Sequence, residues 1–224
     1  MPSIDKPSFT FFSDVDRIAS FPCEYDKVEI SNEPMFYRAD LEFAYANGGI
    51  ITRNFIDNLP FFWKDTPVTI DSRVHMLMPD WYPCIPGWHH DDVPRSRYDG
   101  QPNYDDTEYN PLHLIGLVNA DVAPTEFAVG KITLPEVPIG GIVYRDWHPM
   151  VDEAVKSGKL ESYKAKSGEM LEFDSNSFHQ GTAAVKSGWR WFIRVSKYTS
   201  RAYECKNEIR NQTQVYMKDP MQGW

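Results

Sequence analysis

Residues 68–92 have the sequence VTIDSRVHMLMPDWYPCIPGWHHDD, and this stretch decides both the predicted fold and the predicted site. Residues 68–78 are rich in β-branched side chains and partly alternate, which is typical of a strand. Prolines and aromatic residues at 79–87 predict a turn. The turn leads to Gly87-Trp88-His89-His90-Asp91-Asp92, where four potential metal ligands are consecutive. We therefore expect a strand-rich protein with a candidate metal site directly after this strand.

Strands are predicted along most of the remaining chain, and the helices are grouped near its start. Further strands fit the segments 112–118, 126–129, 132–134, 167–174 and 188–196, with one or two short strands in 1–37. Helices are predicted over 38–47, stopped by Gly48-Gly49, over 51–59, within 150–162 and near 204–211. Many short strands with grouped helices indicate a mainly β fold, a double-stranded β-helix or jelly roll, with the N-terminal helices packed outside the sheet.

Length and composition bound the class of protein. A chain of 224 residues is one domain by default, and its net charge of −9 argues against a nucleic-acid partner. The three cysteines, widely spaced, form no disulfide framework or zinc pair, which fits a cytoplasmic location. Residues 1–5 lack the features of a secretion signal, and no apolar run reaches the ~18 residues of a membrane span. We expect no membrane partner, and the oligomeric state is not predicted.

His179, which follows an apolar segment ninety residues later, makes the cluster at 89–92 a stronger candidate for a metal site. Two histidines and one carboxylate are the ligand set of non-haem iron oxygenases, and they leave coordination positions open. Residues i and i+2 of an extended chain point to the same side, so either His89 with Asp91 or His90 with Asp92 can supply two ligands. A solvated polar cluster is the alternative for this stretch. The other histidines, His75, His113 and His148, are isolated and are interpreted as structural.

Two arginines lie inside the apolar segment Gly188-Trp189-Arg190-Trp191-Phe192-Ile193-Arg194-Val195-Ser196. A guanidinium buried there needs an anionic partner, because an unpaired buried charge is very costly. The two side chains share one face with Cα atoms about 13 Å apart, so they are not expected to bind the same carboxylate. One can bind a small dicarboxylate, and the other can meet the substrate or an internal acid. Structural salt bridges are the alternative for both.

These residues resemble the motifs of the 2-oxoglutarate/Fe(II)-dependent dioxygenase superfamily. Trp88-His89-His90-Asp91 is similar to the first metal motif of phytanoyl-CoA-hydroxylase-like members, which favours His89 and Asp91 over the other pair. Ser167 to Phe173 with His179 resembles the strand that leads to the distal histidine. Arg190 stands eleven residues after His179, a spacing typical of the 2-oxoglutarate arginine, and Arg194 resembles a second arginine of taurine-dioxygenase-like members.

The resemblance covers about 68–197, which implies a single oxygenase domain with a jelly-roll core there, N-terminal support in 1–67 and a C-terminal tail in 198–224. It implies that His89, Asp91 and His179 hold Fe(II), and that Arg190 binds the far carboxylate of the co-substrate 2-oxoglutarate. Reaction with O2 then yields succinate and CO2 and hydroxylates or desaturates a C–H bond. Asp91 stands where related halogenases have Gly or Ala, so halogenation is not expected.

We expect a small-molecule substrate with an anionic group, contacted by Arg194, Trp88, Tyr82 and Tyr98 because these residues are near the ligands in sequence. The long polar segment 93–110, directly after the ligands, is predicted to be an active-site lid. Two alternatives remain open. One is a cupin-like metalloenzyme that does not use 2-oxoglutarate, in which Arg190 would bind the substrate itself. The other is a non-catalytic jelly-roll binding module.

Overall fold

The computed structural model describes residues 7–108, 110–199 and 204–217. The expectation about a secretion signal in residues 1–5, Tyr109 of the predicted lid and part of the C-terminal tail lie outside the described residues. In chain order the elements are β1 (Ser8–Ser13), β2 (Asp16–Ser20), α1 (Lys27–Ser31), β3 (Met35–Tyr37), α2 (Leu41–Asn47), α3 (Ile50–Asp57), α4 (Phe61–Lys64), β4 (Thr69–Leu77), β5 (Trp81–Tyr82), β6 (Leu112–Val118), β7 (Thr125–Pro135), α5 (Val143–Lys156), β8 (Glu161–Lys164), β9 (Glu169–Asp174), β10 (His179–Gly181), β11 (Gly188–Lys197), β12 (Glu208–Arg210) and β13 (Tyr216–Met217).

Two larger antiparallel sheets dominate the structure. One has the order β2-β9-β6-β11-β4, and the other has the order β1-β7-β10 with β8 also paired to β7. Apolar side chains from both sheets form a common cluster that includes Leu117 of β6, Phe127 of β7 and Phe173 of β9. The rings of Phe127 and Phe173 are 5.0 Å apart. The fold is therefore mainly β, as predicted, and its two sheets in contact are consistent with a β-sandwich.

The outer face of the five-stranded sheet is covered by the N-terminal helices. Alternation along β11 places Trp191, Ile193 and Val195 on this face, where all three are fully buried. They share a core cluster with Ile51 and Phe55 of α3. The ring of Phe55 lies 6.0 Å from that of Trp191. The prediction that the early helices pack outside a later sheet is confirmed.

The opposite face of β11 and β4 carries charged side chains instead. The register pairs Asp71 with Arg194, Arg73 with Phe192 and His75 with Arg190 across the two strands. Since residues two apart on a strand point the same way, these side chains form one polar strip on the inner face of the sheet. This strip is the floor of the candidate site.

Helix ends follow local sequence signals. Asp40 caps α2, since its side chain accepts a hydrogen bond from the Phe43 backbone N–H at 2.7 Å. The helix stops at Gly48, whose added Cβ would lie 2.6 Å from the Ala44 carbonyl oxygen. The helices predicted over 38–47 and 51–59 are thus present as α2 and α3.

Several boundaries differ from the predictions. The strands expected at 126–129 and 132–134 are one strand, β7, which runs through Gly130 with a φ of +131°. The helix expected within 150–162 begins earlier, at Val143. The helix expected near 204–211 is wrong: residues 208–210 form β12, which pairs with β3. The segment 1–37 contains three strands, β1, β2 and β3, and the helix α1, which is more than the one or two short strands expected, and β1 and β2 each join one of the main sheets.

Among the described helices, none combines the length and the apolar character needed to cross a membrane.

Candidate metal centre and its two cavities

His89 and His179 are joined through their backbones as an isolated antiparallel bridge. The His89 N–H donates to the His179 carbonyl oxygen at 3.0 Å, and the His179 N–H donates to the His89 carbonyl oxygen at 3.1 Å. β10 itself is held by β7, where His179 lies opposite Phe127. The loop after β5 is therefore fastened to the second sheet at the position of the two histidines, and their rings are 4.6 Å apart.

Asp91 completes a cluster of three possible ligands. Its Oδ2 lies 3.3 Å from Nε2 of His179, and one donor atom from each of His89, Asp91 and His179 lies within 4.8 Å of the others. Nitrogen and oxygen ligands at about 2.1 Å from one ion lie at most about 4.2 Å apart, so this spacing is close to that of a filled site. The three side chains can hold a metal ion with little movement.

Hydrogen bonds fix how the two histidines face this cluster. Nδ1 of His89 is 2.8 Å from the Gly87 carbonyl oxygen, and Nδ1 of His179 is 3.0 Å from the Ser177 carbonyl oxygen. A carbonyl oxygen only accepts, so Nδ1 carries the proton in each ring and Nε2 keeps its lone pair. Burial lowers the pKa of His89 to about 4, and the nearby His179 acts in the same direction. His89 is therefore neutral at neutral pH, as a metal ligand must be.

Arg194 connects Asp91 to a second carboxylate. It forms an ion pair with Asp91 and a further one with Asp71 at 3.5 Å. Burial by itself would raise the pKa of Asp91, but Arg194 and His179 together hold that pKa well below its usual value. Asp91 is thus a carboxylate. The Arg194 side chain was predicted to contact substrate, and the structure shows it occupied by these two acids.

The alternative pair, His90 and Asp92, does not converge with His179. Nδ1 of His90 is 2.8 Å from the Tyr104 hydroxyl, and the ring packs 3.7 Å from that of Phe178 in the core. Tyr104 donates to the Tyr144 hydroxyl, which donates to the His90 carbonyl oxygen at 3.0 Å. This network of Tyr104 and Tyr144 contacts His90, next to the ligand cluster. The sequence gives no indication of it, because nothing in the sequence links the two tyrosines.

An inner cavity of about 270 Å³ opens beside the cluster and contains Arg190. Only 2% of Arg190 is exposed, and its Nη2 donates to the Thr125 hydroxyl at 3.3 Å. Among the described residues, no carboxylate lies at ion-pair distance from it, and its buried Nε has no hydrogen-bond partner. Burial lowers the pKa of Arg190 to about 10, so the guanidinium is still charged at neutral pH. The cavity therefore holds a buried positive charge with no anionic partner among the described residues.

An outer cavity of about 1280 Å³ adjoins the inner one, and both are lined by His89, Asp91 and Arg194. Part of the predicted lid, including Val93, Ser96 and Glu108, forms one of its sides. Residues 209–214 and Tyr216 from the C-terminal tail form another. The sequence predicts no role in the site for this tail, because its polar residues carry no signal for where it packs.

Three of the predicted substrate contacts are not among the residues that line the two cavities. Trp88 is 1% exposed and packs in a core cluster with Phe11 and Trp147. Its ring points away from the site because neighbouring residues of an extended chain face opposite sides. Tyr82 pairs with Tyr216 in the β5–β13 ribbon, and Tyr98 is 95% exposed. None of the three lines either of these two cavities. Nearness in sequence was a poor guide to nearness in space.

The isolated histidines have the hydrogen bonds expected of structural residues. Nδ1 of His113 is 2.9 Å from the Ser196 hydroxyl, and Nδ1 of His148 accepts from the Trp88 N–H at 3.1 Å. His75 contacts the Thr213 hydroxyl at 2.9 Å through Nε2, and it also lines both cavities. None of these three belongs to the ligand cluster.

No family model matches the chain, and no curated protein matches it. Among solved structures, EvdO2 from Micromonospora carbonacea var. aurantiaca, complexed with 2-oxoglutarate, aligns with a TM-score of 0.33 and 11% identity over 58% of this chain and 51% of that one. HygX from Streptomyces hygroscopicus, with iron bound, aligns with a TM-score of 0.29 and 9% identity over 59% of this chain and 58% of that one. EvdMO1 has a TM-score of 0.33 and 14% identity over 58% of this chain and 27% of that one. The chain thus spans less than two thirds of each neighbour, and likenesses this distant assign no family.

Proposed function

We propose that the chain is an Fe(II)/2-oxoglutarate-dependent oxygenase that hydroxylates or desaturates a C–H bond of a small molecule. The observation that carries this proposal is the pairing of two features in one cavity. A His-Asp-His cluster lines one part of it, and the buried, unpaired guanidinium of Arg190 lines another. A metal-binding end and an anion-binding end together suit a co-substrate that is both a chelator and an anion.

The donor set fits iron. Two neutral imidazoles and one carboxylate on the same side of an ion leave its other positions for co-substrate and oxygen. Both imidazoles present Nε2, because each Nδ1–H is held by a carbonyl oxygen two residues earlier in the chain. The three ligand side chains include no thiolate, so a structural zinc site is not favoured. With iron, 2-oxoglutarate and O2 bound, the site would supply oxidising chemistry and release succinate and CO2.

The inner cavity fits 2-oxoglutarate in length and in charge. Thr125, which contacts Arg190, lies opposite Gly181, two residues beyond His179 on β10. Two residues of strand span about 7 Å, comparable to an extended five-carbon chain. A volume of about 270 Å³ takes roughly nine water-sized groups of ~30 Å³ each, which suits a small dicarboxylate. Arg190 and Thr125 would bind the far carboxylate, and the keto-acid end would face His89, Asp91 and His179.

Within this proposal the two main sheets form a jelly roll and the chain is a single oxygenase domain. The participation of β1 and β2 in the two sheets supports a domain that includes the N-terminal segment. Asp91 fills the carboxylate position of the ligand set, which favours hydroxylation or desaturation over halogenation. The substrate would enter through the outer cavity, between residues 93–108 and the C-terminal tail.

The test is anaerobic titration of Fe(II) into the metal-free protein with 2-oxoglutarate, followed by visible absorption. The chelate is expected to produce a charge-transfer band in the wild type and in Arg53→Met, an exposed control on α3. Arg190→Met and His179→Ala are expected to lose it. Tight iron binding without a band would favour a cupin-like metalloenzyme in which Arg190 binds the substrate itself. No iron binding would favour a non-catalytic binding module.

A further inference from the structure

Arg73 is a second cation of the polar strip that has no acidic partner in the described part of the chain. It lies on β4 between Asp71 and His75, which share its face of the sheet, and opposite Phe192 of β11. Arg73 lines both the inner and the outer cavity. Its side chain is therefore at the place where the two cavities meet, on the side from which a substrate would approach the metal ligands.

The hydrogen bonds of Arg73 orient it without neutralising it. Nη1 donates to the Phe36 carbonyl oxygen at 3.0 Å and to the Ser72 carbonyl oxygen at 2.6 Å. No described hydrogen bond uses Nε or Nη2, and no described carboxylate lies at ion-pair distance. The nearest acid in sequence, Asp71, accepts from the Arg38 backbone N–H at 3.2 Å and pairs with Arg194 at 3.5 Å. Two carbonyl bonds thus fix the guanidinium while leaving its remaining donors for a ligand.

The C-terminal tail brings another positive charge to the same place. β12 pairs with β3, and this pairing sets Arg210 against Tyr37, with the guanidinium carbon 3.5 Å from the ring centroid. Arg210 lines the outer cavity, and its one described ion pair, with Glu208, is 3.9 Å long and half-exposed. Burial lowers the pKa of Arg73, and the charges of Arg210 and Arg194 act in the same direction although Asp71 opposes them. An anion between Arg73 and Arg210 would relieve this repulsion.

We propose that Arg73, assisted by Arg210, binds an anionic group of the substrate, a carboxylate or a phosphate, and so positions the rest of the substrate toward the metal ligands. This inference rests on the proposed function for the identity of the site, but the anion site itself needs no metal. It moves the predicted substrate arginine from Arg194, which is held by Asp91 and Asp71, to Arg73. A planar guanidinium with free donors can bind either anion through two hydrogen bonds.

The experiment measures anion binding in full-length, metal-free protein with Arg190→Met as the background, so that Arg190 no longer contributes an anion site. Inorganic phosphate and acetate are titrated separately by calorimetry. We expect binding in the background, a loss of at least tenfold on adding Arg73→Met, a smaller loss on adding Arg210→Met, and no change on adding Arg53→Met. Arg73→Lys, which keeps the charge, should retain part of the affinity. Tighter phosphate binding would indicate a phosphorylated substrate, and tighter acetate binding a carboxylate.

Unchanged binding after Arg73→Met, or no binding of either anion in the background, would overturn the inference. Circular dichroism of each variant checks that the fold is intact. The anaerobic iron and 2-oxoglutarate band, recorded for Arg73→Met with Arg190 present, separates the two proposals. If Arg73→Met keeps the charge-transfer band but loses anion binding, both proposals are supported. If anion binding depends on Arg73 but the protein shows no charge-transfer band, this inference is supported and the oxygenase proposal is contradicted.

Discussion

His89 and His179 exchange both of their backbone hydrogen bonds although they lie on different parts of the chain. This bridge means that the two imidazoles are positioned by main chain, not only by side-chain packing. Each ring is then oriented by a carbonyl oxygen two residues earlier, from Gly87 and from Ser177. Asp91, two residues after His89, falls on the same side. The backbone thus brings the three possible ligands together.

The choice of ligand register can be tested with one matched pair of variants. Asp91→Ala removes a carboxylate from the cluster, and we expect metal affinity to fall at least ~100-fold. Asp92→Ala removes the neighbouring carboxylate, which does not belong to the cluster, and affinity should change less than about threefold. Competition with a colorimetric chelator, using Co(II) as an air-stable probe, measures both. Equal losses of metal affinity for the two variants would contradict the choice of His89 and Asp91 over His90 and Asp92.

Removal of the unpaired guanidinium should not harm the metal-free protein. Arg190→Met replaces a buried charge that has no described carboxylate partner with an apolar side chain of similar length. Because an unpaired buried charge is costly, we expect the free energy of unfolding to stay the same or to rise by about 1 kcal/mol. Urea unfolding measures this. A clear loss of stability would show that Arg190 has a structural role that the proposal does not include.

The same substitution should impair co-substrate binding. Loss of the Arg190 partner for a buried carboxylate is expected to weaken 2-oxoglutarate binding about 30-fold or more. Anaerobic calorimetry with Mn(II) in place of iron gives the dissociation constant. Arg53→Met, on the surface of α3, is the control and should leave the constant unchanged.

Arg194 should behave in the opposite way from Arg190. Arg194→Met leaves Asp71 and Asp91 mostly buried without their shared cation, so we expect the free energy of unfolding to fall by about 3 kcal/mol. The comparison with Arg190→Met uses the same strand, the same face and the same change of side chain. Similar unfolding free energies for the two variants would contradict the assignment of one arginine to structure and the other to a ligand.

Acid should destabilise the metal-free protein partly through His113. Burial lowers the pKa of this histidine to about 4, against 6.5 for the ordinary side chain. Between pH 6.5 and about 4 the unfolded chain binds a proton here that the folded chain does not, so the free energy of unfolding falls as pH falls, by up to about 3 kcal/mol. Urea unfolding at pH 7, 6 and 5 should show a smaller pH dependence for His113→Asn. If the unfolding free energy of His113→Asn depends on pH as steeply as that of the wild type, the lowered pKa of His113 is contradicted.

The strands and helices with strong periodicity were predictable, and so was the alternation along β11 that separates Arg190 and Arg194 from Trp191 and Ile193. The choice between His89/Asp91 and His90/Asp92 was not predictable from spacing alone, because a period of two serves both pairs equally. The resemblance of Trp88-His89-His90-Asp91 to a known metal motif favours the first pair, and in the structure the long-range bridge to His179 brings that pair into the cluster.

Arg73 and Arg210 could not be recognised as parts of the site from the sequence. Arg73 belongs to an ordinary strand, and Arg210 lies in a polar tail. Their meeting depends on the β4–β11 register and on the β3–β12 ribbon. Trp88 shows the converse, since it is adjacent to a ligand in sequence and faces the core in the structure.

The central claim is tested most directly by an anaerobic crystal structure of the protein with Fe(II) and 2-oxoglutarate. We expect one iron bound by Nε2 of His89, Nε2 of His179 and the carboxylate of Asp91, with the keto acid on the metal and the far carboxylate on Arg190 and Thr125. Iron bound through other side chains, or 2-oxoglutarate absent from the inner cavity at saturating concentration, would contradict it.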